Sequence, residues 1–242
     1  MAVNKVVVLL DVDNTLLDND HIVADFMHHL EREFGTERAE RCLAIFRKLR
    51  DEVGFADYLG TLQLYRSEYP RDPHLPTASR YLVDYPFANR LFPKSLDVVE
   101  HVKKWGPVVL LTDGDVVFQP RKVEHSGLSE AVDGNVLIYI HKEQNLDDVA
   151  ERYPAEHYIL VDDKLRILTA VKKAWGSRVT TVFVRQGHFA VDPQVLATCP
   201  PADLTIERID HLLDYDLQAL LDACKGGHPE VGDQSKLESK RL

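Results

Sequence analysis

The chain carries short runs of apolar residues that are continuous and do not alternate with polar ones. Continuous runs of β-branched and apolar residues are typical of strands that are buried on both faces of a parallel sheet. Five strands are predicted on this basis, at Lys5–Leu10, Pro107–Leu111, Val136–Tyr139, His157–Val161 and Val179–Val184.

Segments with helical spacing of apolar residues separate the later runs. The predicted helices are Ser95–Trp105, Val116–Ser126, Leu146–Arg152 and Leu165–Trp175, with a last amphipathic helix over Thr205–Cys224. Gly106, Gly127 and Gly176 follow three of them as expected helix stops. The alternation of strands and helices predicts an α/β fold, a doubly wound parallel sheet.

Residues 19–90 contain no predicted strand. Helices are expected there at His21–Phe34, Glu37–Arg50, Phe55–Glu68 and Thr77–Asp84, with a loop over Pro70–Pro76. An oversized crossover and a cap over an active site both fit this pattern. The predicted organisation is a core domain of residues 1–18 and 91–224, a helical cap domain of residues 19–90, and a flexible tail of residues 225–242.

Composition narrows the function classes. The net charge of −10 argues against non-specific binding to nucleic acid or to an anionic membrane. Runs such as Val6–Leu10 are too short to span a bilayer, and residues 1–10 do not resemble a signal peptide. The three widely spaced cysteines suggest reduced thiols, so a cytoplasmic location is expected.

Polar residues and one glycine follow four of the predicted strands. They are Asp11, Asp13 and Thr15; then Thr112, Asp113, Gly114 and Asp115; then Lys142; then Asp162 and Asp163. Ligands bind beyond the carboxyl ends of the strands in an open parallel sheet, so we expect these groups to meet in one crevice. Taken singly, each has an ordinary explanation as a turn, a helix cap or a surface lysine, but the ordered set favours a site.

Several carboxylates in one crevice repel one another, so they either bind protons or share a cation. An all-oxygen ligand set suits Mg²⁺ better than zinc, because no His or Cys accompanies the acids. Lys142, the Thr112 hydroxyl and backbone N–H groups near Gly114 would add positive charge. This combination indicates a site that handles a phosphoryl group.

These motifs resemble the haloacid dehalogenase (HAD) superfamily. "DVDNT" at residues 11–15 is similar to its first motif, Thr112 in "LLTDG" to the second, Lys142 to the third and "VDD" at 161–163 to the fourth. Lys122 is a rival for the third motif, but it lies inside the preceding predicted helix. The resemblance covers about residues 5–185, and it implies a C1-type cap in the helical segment.

The resemblance implies a role for each motif residue. Asp11 would attack phosphorus, and Asp13 would protonate the leaving oxygen and then activate water. The implied phosphate-binding groups are Thr112, Asp113, Gly114 and Lys142. The implied Mg²⁺ ligands are Asp11, the Val12 carbonyl, Asp13, Asp162 and Asp163, with Asp163 favoured over Asp162 as the direct ligand.

Two positions depart from the family pattern. Asn14 stands where Gly is frequent, and Asn tolerates unusual backbone angles. Asp113 stands where Asn is frequent, and its carboxylate is expected to point away from the phosphate. In the predicted cap, Arg50 is a candidate substrate contact, with a solvated arginine at a helix end as the alternative.

The expected function is a magnesium-dependent phosphohydrolase that acts on a small phosphate monoester. Asp13 favours phosphate chemistry over dehalogenation, because the departure of a halide needs no proton. A phosphotransferase or mutase that uses the same aspartyl-phosphate, and a binding domain without catalysis, remain open alternatives.

Overall fold

The computed structural model of the protein describes residues 3–225. Its sheet is parallel throughout, in the order β3-β2-β1-β4-β5-β6. The strands are β1 (Asn4–Leu10), β2 (Val108–Asp113), β3 (Val136–Tyr139), β4 (Ala155–Asp162), β5 (Val179–Val184) and β6 (Leu204–Ile206). The α/β fold and the five predicted strands are confirmed, and β6 was missed.

Helices cover both faces of this sheet. They are α1 (Asn19–Phe34), α2 (Thr36–Val53), α3 (Tyr58–Glu68), α4 (Leu75–Val83), α5 (Ser95–Val102), α6 (Phe118–His125), α7 (Leu128–Ala131), α8 (Leu146–Arg152), α9 (Leu165–Trp175), α10 (Pro193–Thr198) and α11 (Leu217–Lys225). Val8 and Leu10 of β1 join one apolar core, whereas Val7 and Leu9 join the other. This explains the continuous apolar runs, because alternate residues of each strand enter different cores.

The prediction of one continuous helix over Thr205–Cys224 was wrong. Leu204–Ile206 pairs with β5 at the sheet edge, and a 3₁₀ segment, Ile209–Asp214, precedes α11. The Asp216 carboxylate accepts the Ala219 N–H at 2.7 Å, which starts the helix anew there. Lys225 ends α11, so the predicted tail lies, apart from this residue, outside the described part of the chain.

The starts of two helices, α3 and α4, also differ from the predicted positions. The loop predicted over Pro70–Pro76 ends earlier, because α4 begins at Leu75 and takes Pro76 into its first turn. Helix α3 begins at Tyr58, not Phe55, since the Asp57 carboxylate caps it by accepting the Gly60 N–H at 2.7 Å.

The helical insertion, residues 19–90, joins the sheet through two chain crossings that run side by side. Leu17 pairs with Leu91 in an antiparallel bridge. The Asp18 N–H donates to the Arg90 carbonyl at 2.7 Å, and the Phe92 N–H donates to the Leu16 carbonyl at 2.9 Å. No helix among residues 3–225 is long and apolar enough to cross a membrane.

Candidate active site

Asp11 follows β1, which lies between β2 and β4 in the middle of the sheet. The Lys142 ammonium reaches Asp11 Oδ1 at 2.6 Å, Asp162 Oδ2 at 2.7 Å and the Leu111 carbonyl at 3.0 Å. Burial opposes the charge on this lysine, but the carboxylates of Asp11 and Asp162 outweigh it and raise the pKa of Lys142. The strand order therefore brings together the predicted first, third and fourth motifs.

Asp163 is the least satisfied acid in the site. It is fully buried, and neither of its carboxylate oxygens has a hydrogen-bond partner among residues 3–225. Burial and the neighbouring carboxylate of Asp162 raise the pKa of Asp163 well above its usual value. One carboxylate oxygen each from Asp11, Asp162 and Asp163 lie within 4.8 Å of one another. An unpartnered buried carboxylate in such a group is what a hard divalent cation would satisfy.

Asp162 has more partners than Asp163. Its Oδ1 accepts the Lys164 N–H at 2.7 Å, and its Oδ2 lies beside Lys142. Burial raises the pKa of Asp162, and the charge of Lys142 opposes this rise. The two acids of the fourth motif therefore differ in how much of their charge the protein itself compensates.

Thr112 lies at the end of β2 with its hydroxyl held in place. Gln119 Nε2 of α6 donates to Thr112 Oγ1 at 2.9 Å, which leaves the hydroxyl proton free to point elsewhere. Gly114 permits this contact, because a Cβ at that position would lie 2.5 Å from Gln119 Cβ. Gln119 was missed in the sequence, since it lies inside α6 and not at a strand end.

Two predicted backbone roles do not fit the structure. The Gly114 N–H donates to the Tyr139 carbonyl at 3.0 Å, so it is not available to a phosphate. The Val12 carbonyl accepts the N–H groups of three following residues, at 3.3, 3.0 and 3.0 Å, so it is not available to a metal ion. The Val12 carbonyl is used by the turn that follows β1, and the Gly114 N–H extends the pairing of β2 with β3.

Asp113 lines the cavity described below, but its carboxylate is already engaged. Its Oδ1 accepts the Lys142 N–H at 2.7 Å. Burial raises the pKa of Asp113, and the charge of Lys142 opposes this rise. The Asp113 side chain thus holds the loop that carries Lys142.

Asn14 takes a left-handed conformation at φ 61°, in keeping with its position where Gly is frequent in the family.

Asp13 lies outside the three-carboxylate group. Both of its carboxylate oxygens contact the ammonium of Lys122, at 2.7 and 2.8 Å. The same ammonium donates to Asn19 Oδ1 at 3.1 Å. From the sequence, Lys122 was rejected as the lysine of the third motif because it lies within a predicted helix. In the structure, Lys122 does lie in α6, but its side chain points into the site and contacts Asp13. Each acid of the "DVDNT" motif therefore has its own lysine.

A cavity of about 220 Å³ opens above these residues. Its floor includes Asp11, Asp13 and Thr112, and its walls from the helical insertion include Phe46 and Arg50. The remaining lining residues are Asn14, Asn19, Asp20, Val23, Phe55, Ala56, Asp113, Lys164, His188 and Phe189. Lys142 lies behind Asp11, 1% exposed, and is not among the described residues that line the cavity.

Arg50, the predicted substrate contact, therefore faces the same space as Asp11. Its Nη2 lies 3.5 Å from Asp51 Oδ1, and 29% of its side chain is exposed. Lys164, His188 and Phe189 were not predicted. Lys164 directly follows the fourth motif, and His188 and Phe189 lie after β5, where the sequence shows no motif.

The geometry has counterparts in known proteins. A family model described as haloacid dehalogenase-like hydrolase matches residues 6–174. A solved haloacid dehalogenase-like hydrolase from Burkholderia xenovorans LB400 is 58% identical, covers 88% of this chain and 99% of its own, and has a TM-score of 0.85. No curated protein matches the chain.

More distant structures share the fold. The HAD-hydrolase YfnB from Bacillus subtilis, bound to magnesium, is 15% identical over 87% of this chain and 98% of its own, with a TM-score of 0.59. The L-2-haloacid dehalogenase from Xanthobacter autotrophicus is 16% identical over 85% and 96%, with a TM-score of 0.56. Since the family model matches more than half of the chain and the Burkholderia relative is 58% identical, the chain belongs to the haloacid dehalogenase-like hydrolases.

Proposed function

We propose that the protein is a magnesium-dependent phosphohydrolase that cleaves a small phosphate monoester through an aspartyl-phosphate on Asp11. The observation that carries this proposal is the position of Asp13. Its carboxylate shares the floor of the cavity with Asp11, where it can serve a leaving oxygen. A departing alkoxide needs a proton, whereas a departing halide does not, so an acid that serves the leaving group is needed only in ester cleavage.

The three-carboxylate group of Asp11, Asp162 and Asp163 fits Mg²⁺, because its ligands are all oxygen and Asp163 has no hydrogen-bond partner in the described residues 3–225. Asp163 would be a direct ligand, since Asp162 already has Lys142 and the Lys164 N–H. Asp13 is not in the proposed ligand set, because Lys122 engages both of its oxygens. The bound ion would offset negative charge on the phosphoryl oxygens.

The protein's own groups would carry the reaction in two steps. A carboxylate oxygen of Asp11 attacks phosphorus, and the bond from phosphorus to the ester oxygen breaks. Asp13, protonated on a lone pair that Lys122 leaves free, gives its proton to that oxygen. Asp13 then accepts a proton from water as this water attacks the aspartyl-phosphate. Inorganic phosphate leaves and Asp11 is restored. The Thr112 hydroxyl would donate to the phosphoryl group, and Lys142 would temper the charge on Asp11.

The helical insertion would act as a cap that excludes water and contacts the leaving group. Phe46 and Arg50 support this role, since both lie in the wall of the cavity that holds Asp11. We expect a small-molecule phosphate ester as substrate, with no nucleic-acid or membrane partner, and action in the cytoplasm. A phosphotransferase would use the same residues and differ only in passing the phosphoryl group to an acceptor other than water.

A substrate panel tests this proposal. Purified protein is incubated with phosphate monoesters and with 2-halo acids, each in Mg²⁺ or in excess chelator, and free phosphate and free halide are measured. Phosphate release that requires Mg²⁺, without halide release, is expected. Halide release without phosphate release would contradict the proposal. A phosphorylated acceptor in place of free phosphate would identify a phosphotransferase.

A further inference from the structure

Lys122 is a buried charged residue to which the proposed mechanism gives no task. It lies in α6 and is 1% exposed. Burying an ammonium group is costly unless it is paired and hydrogen-bonded. Its three N–H groups match three acceptors at 2.7, 2.8 and 3.1 Å, namely the two oxygens of Asp13 and Asn19 Oδ1. The lysine is thus fully satisfied where it stands.

The surroundings of the ammonium leave it little freedom. Its Nζ lies 5.5 Å from the ring centre of Phe118 and 6.0 Å from that of Tyr58, and both rings are buried. These rings also contact each other, with centres 4.7 Å apart. A lysine enclosed by packed aromatic rings cannot turn out to solvent without opening the core. Its position therefore determines where the Asp13 carboxylate points.

The same contacts connect Asp13 to the helical insertion. Asn19 is the first residue of α1, and its Oδ1 also accepts the Tyr58 hydroxyl of α3 at 3.3 Å. Asp13 and Asn19 line the cavity, whereas Lys122 is not among its described lining residues. Lys122 can therefore affect a substrate only indirectly, through its contacts with Asp13 and Asn19.

We propose that Lys122 is a positioning residue that fixes the Asp13 carboxylate for proton transfer and ties its orientation to the seating of the helical insertion. The inference rests on the proposed phosphohydrolase function. It gives the two buried lysines different roles. Lys142 contacts Asp11 and Asp162, whereas Lys122 contacts Asp13 and Asn19.

Leaving groups of different basicity test this role. A p-nitrophenolate leaves readily without a proton, whereas an alkoxide needs one as its bond to phosphorus breaks. Lys122→Met is compared with the natural protein on p-nitrophenyl phosphate and on a series of alkyl phosphates. We expect kcat/KM, which reports on the step that breaks the ester bond, to fall roughly 10- to 100-fold on the alkyl esters and less than about threefold on the aryl ester. The larger loss is at or below the low end of the roughly 100- to 10,000-fold contribution of general acid–base catalysis, because Asp13 itself remains.

The matched control is Val123→Ala, which removes buried apolar volume from the next position of the same helix. It is expected to lower stability and to change both substrate classes by the same factor. In the Asp13→Asn background, Lys122→Met should cost nothing more on alkyl esters, because the two residues act as one unit. If Lys122→Met does not fold, Lys122→Gln carries the same comparison, with a smaller loss of the same pattern.

An equal loss on aryl and alkyl esters, or a loss that adds to that of Asp13→Asn, would overturn the positioning role while leaving phosphate release intact. If the natural protein releases phosphate from none of the esters, the proposed function fails and takes this inference with it. The two failures are thus distinguished by the activity of the unmodified protein.

Discussion

Replacing Asp163 by Asn should make the metal-free protein more stable and should remove its response to Mg²⁺. The Asp163 carboxylate is fully buried without a hydrogen-bond partner in the described chain, so its charge destabilises the fold unless a cation or a proton is bound. At pH 7 the acid can bind a proton instead of staying charged, which limits the cost. Neutral pH lies 3.2 units above the ordinary pKa of 3.8, and each unit is worth about 1.36 kcal/mol.

The cost of Asp163 at pH 7 is therefore at most about 4 kcal/mol, from 3.2 units at 1.36 kcal/mol each. Asn has nearly the same shape and no charge, but its amide also lacks partners, which costs about 1–3 kcal/mol. Asp163→Asn is therefore expected to gain at most about 3 kcal/mol in the free energy of unfolding in chelator. The raised pKa also means that the stability contributed by Asp163 is present below about pH 4 and is lost as the pH rises towards the folded-state pKa.

Urea denaturation of both proteins, in chelator and in Mg²⁺, measures these effects. Mg²⁺ should stabilise the natural protein and leave Asp163→Asn unchanged. Asp203→Asn is the matched control, because Asp203 is bonded to Lys172 and Thr181. It should lower stability and keep the Mg²⁺ response. A destabilised Asp163→Asn protein that still responds to Mg²⁺ would refute the reasoning.

Three further predictions concern residues around the site and in the insertion. Burial raises the pKa of Asp72, but bonds from the His74 N–H, Tyr65 and Arg38 outweigh it and lower the pKa to about 2. Asp72→Asn should therefore cost about 1–2 kcal/mol above pH 4, after allowance for solvent screening. This cost should vanish in denaturation curves as the pH falls towards 2, and a cost independent of pH would contradict it. Gly114→Ala should cost about 1–3 kcal/mol, because its Cβ would press on Gln119, and an unchanged urea midpoint would contradict that packing. Arg50→Ala should raise KM by about tenfold with little change in kcat, whereas exposed Arg66→Ala should change neither, and equal KM values would exclude Arg50 as a substrate contact.

The sequence was sufficient to predict the sheet and most of the strand-end chemistry. Strands buried on both faces have continuous apolar runs, and parallel strands end at one edge, so the order of the motifs alone predicts where Asp11, Thr112, Lys142 and Asp162 meet. The edge strand Leu204–Ile206 was missed because it has only three residues. Its apolar residues, read together with those of α11, resemble the spacing of a single helix, so the two elements were predicted as one.

Contacts made by residues inside helices were harder to predict. Lys122 and Gln119 both reach the site from α6, and which face of a helix points to a crevice depends on packing that a sequence does not specify. The predictions about backbone groups were wrong for a related reason. Whether the Val12 carbonyl is free depends on the turn after β1, and whether the Gly114 N–H is free depends on the pairing with β3. Both groups are occupied by hydrogen bonds.

The role of Asp11 as the attacking group is the central claim, and phosphate release by Asp11→Asn tests it most directly. The variant and the natural protein are compared on the best phosphate ester of the panel in saturating Mg²⁺, with circular dichroism to verify the fold. Loss of at least about a thousandfold in kcat is predicted, because the amide is a far weaker nucleophile than the carboxylate. Phosphate release at an unchanged rate by a folded Asp11→Asn protein would contradict the account.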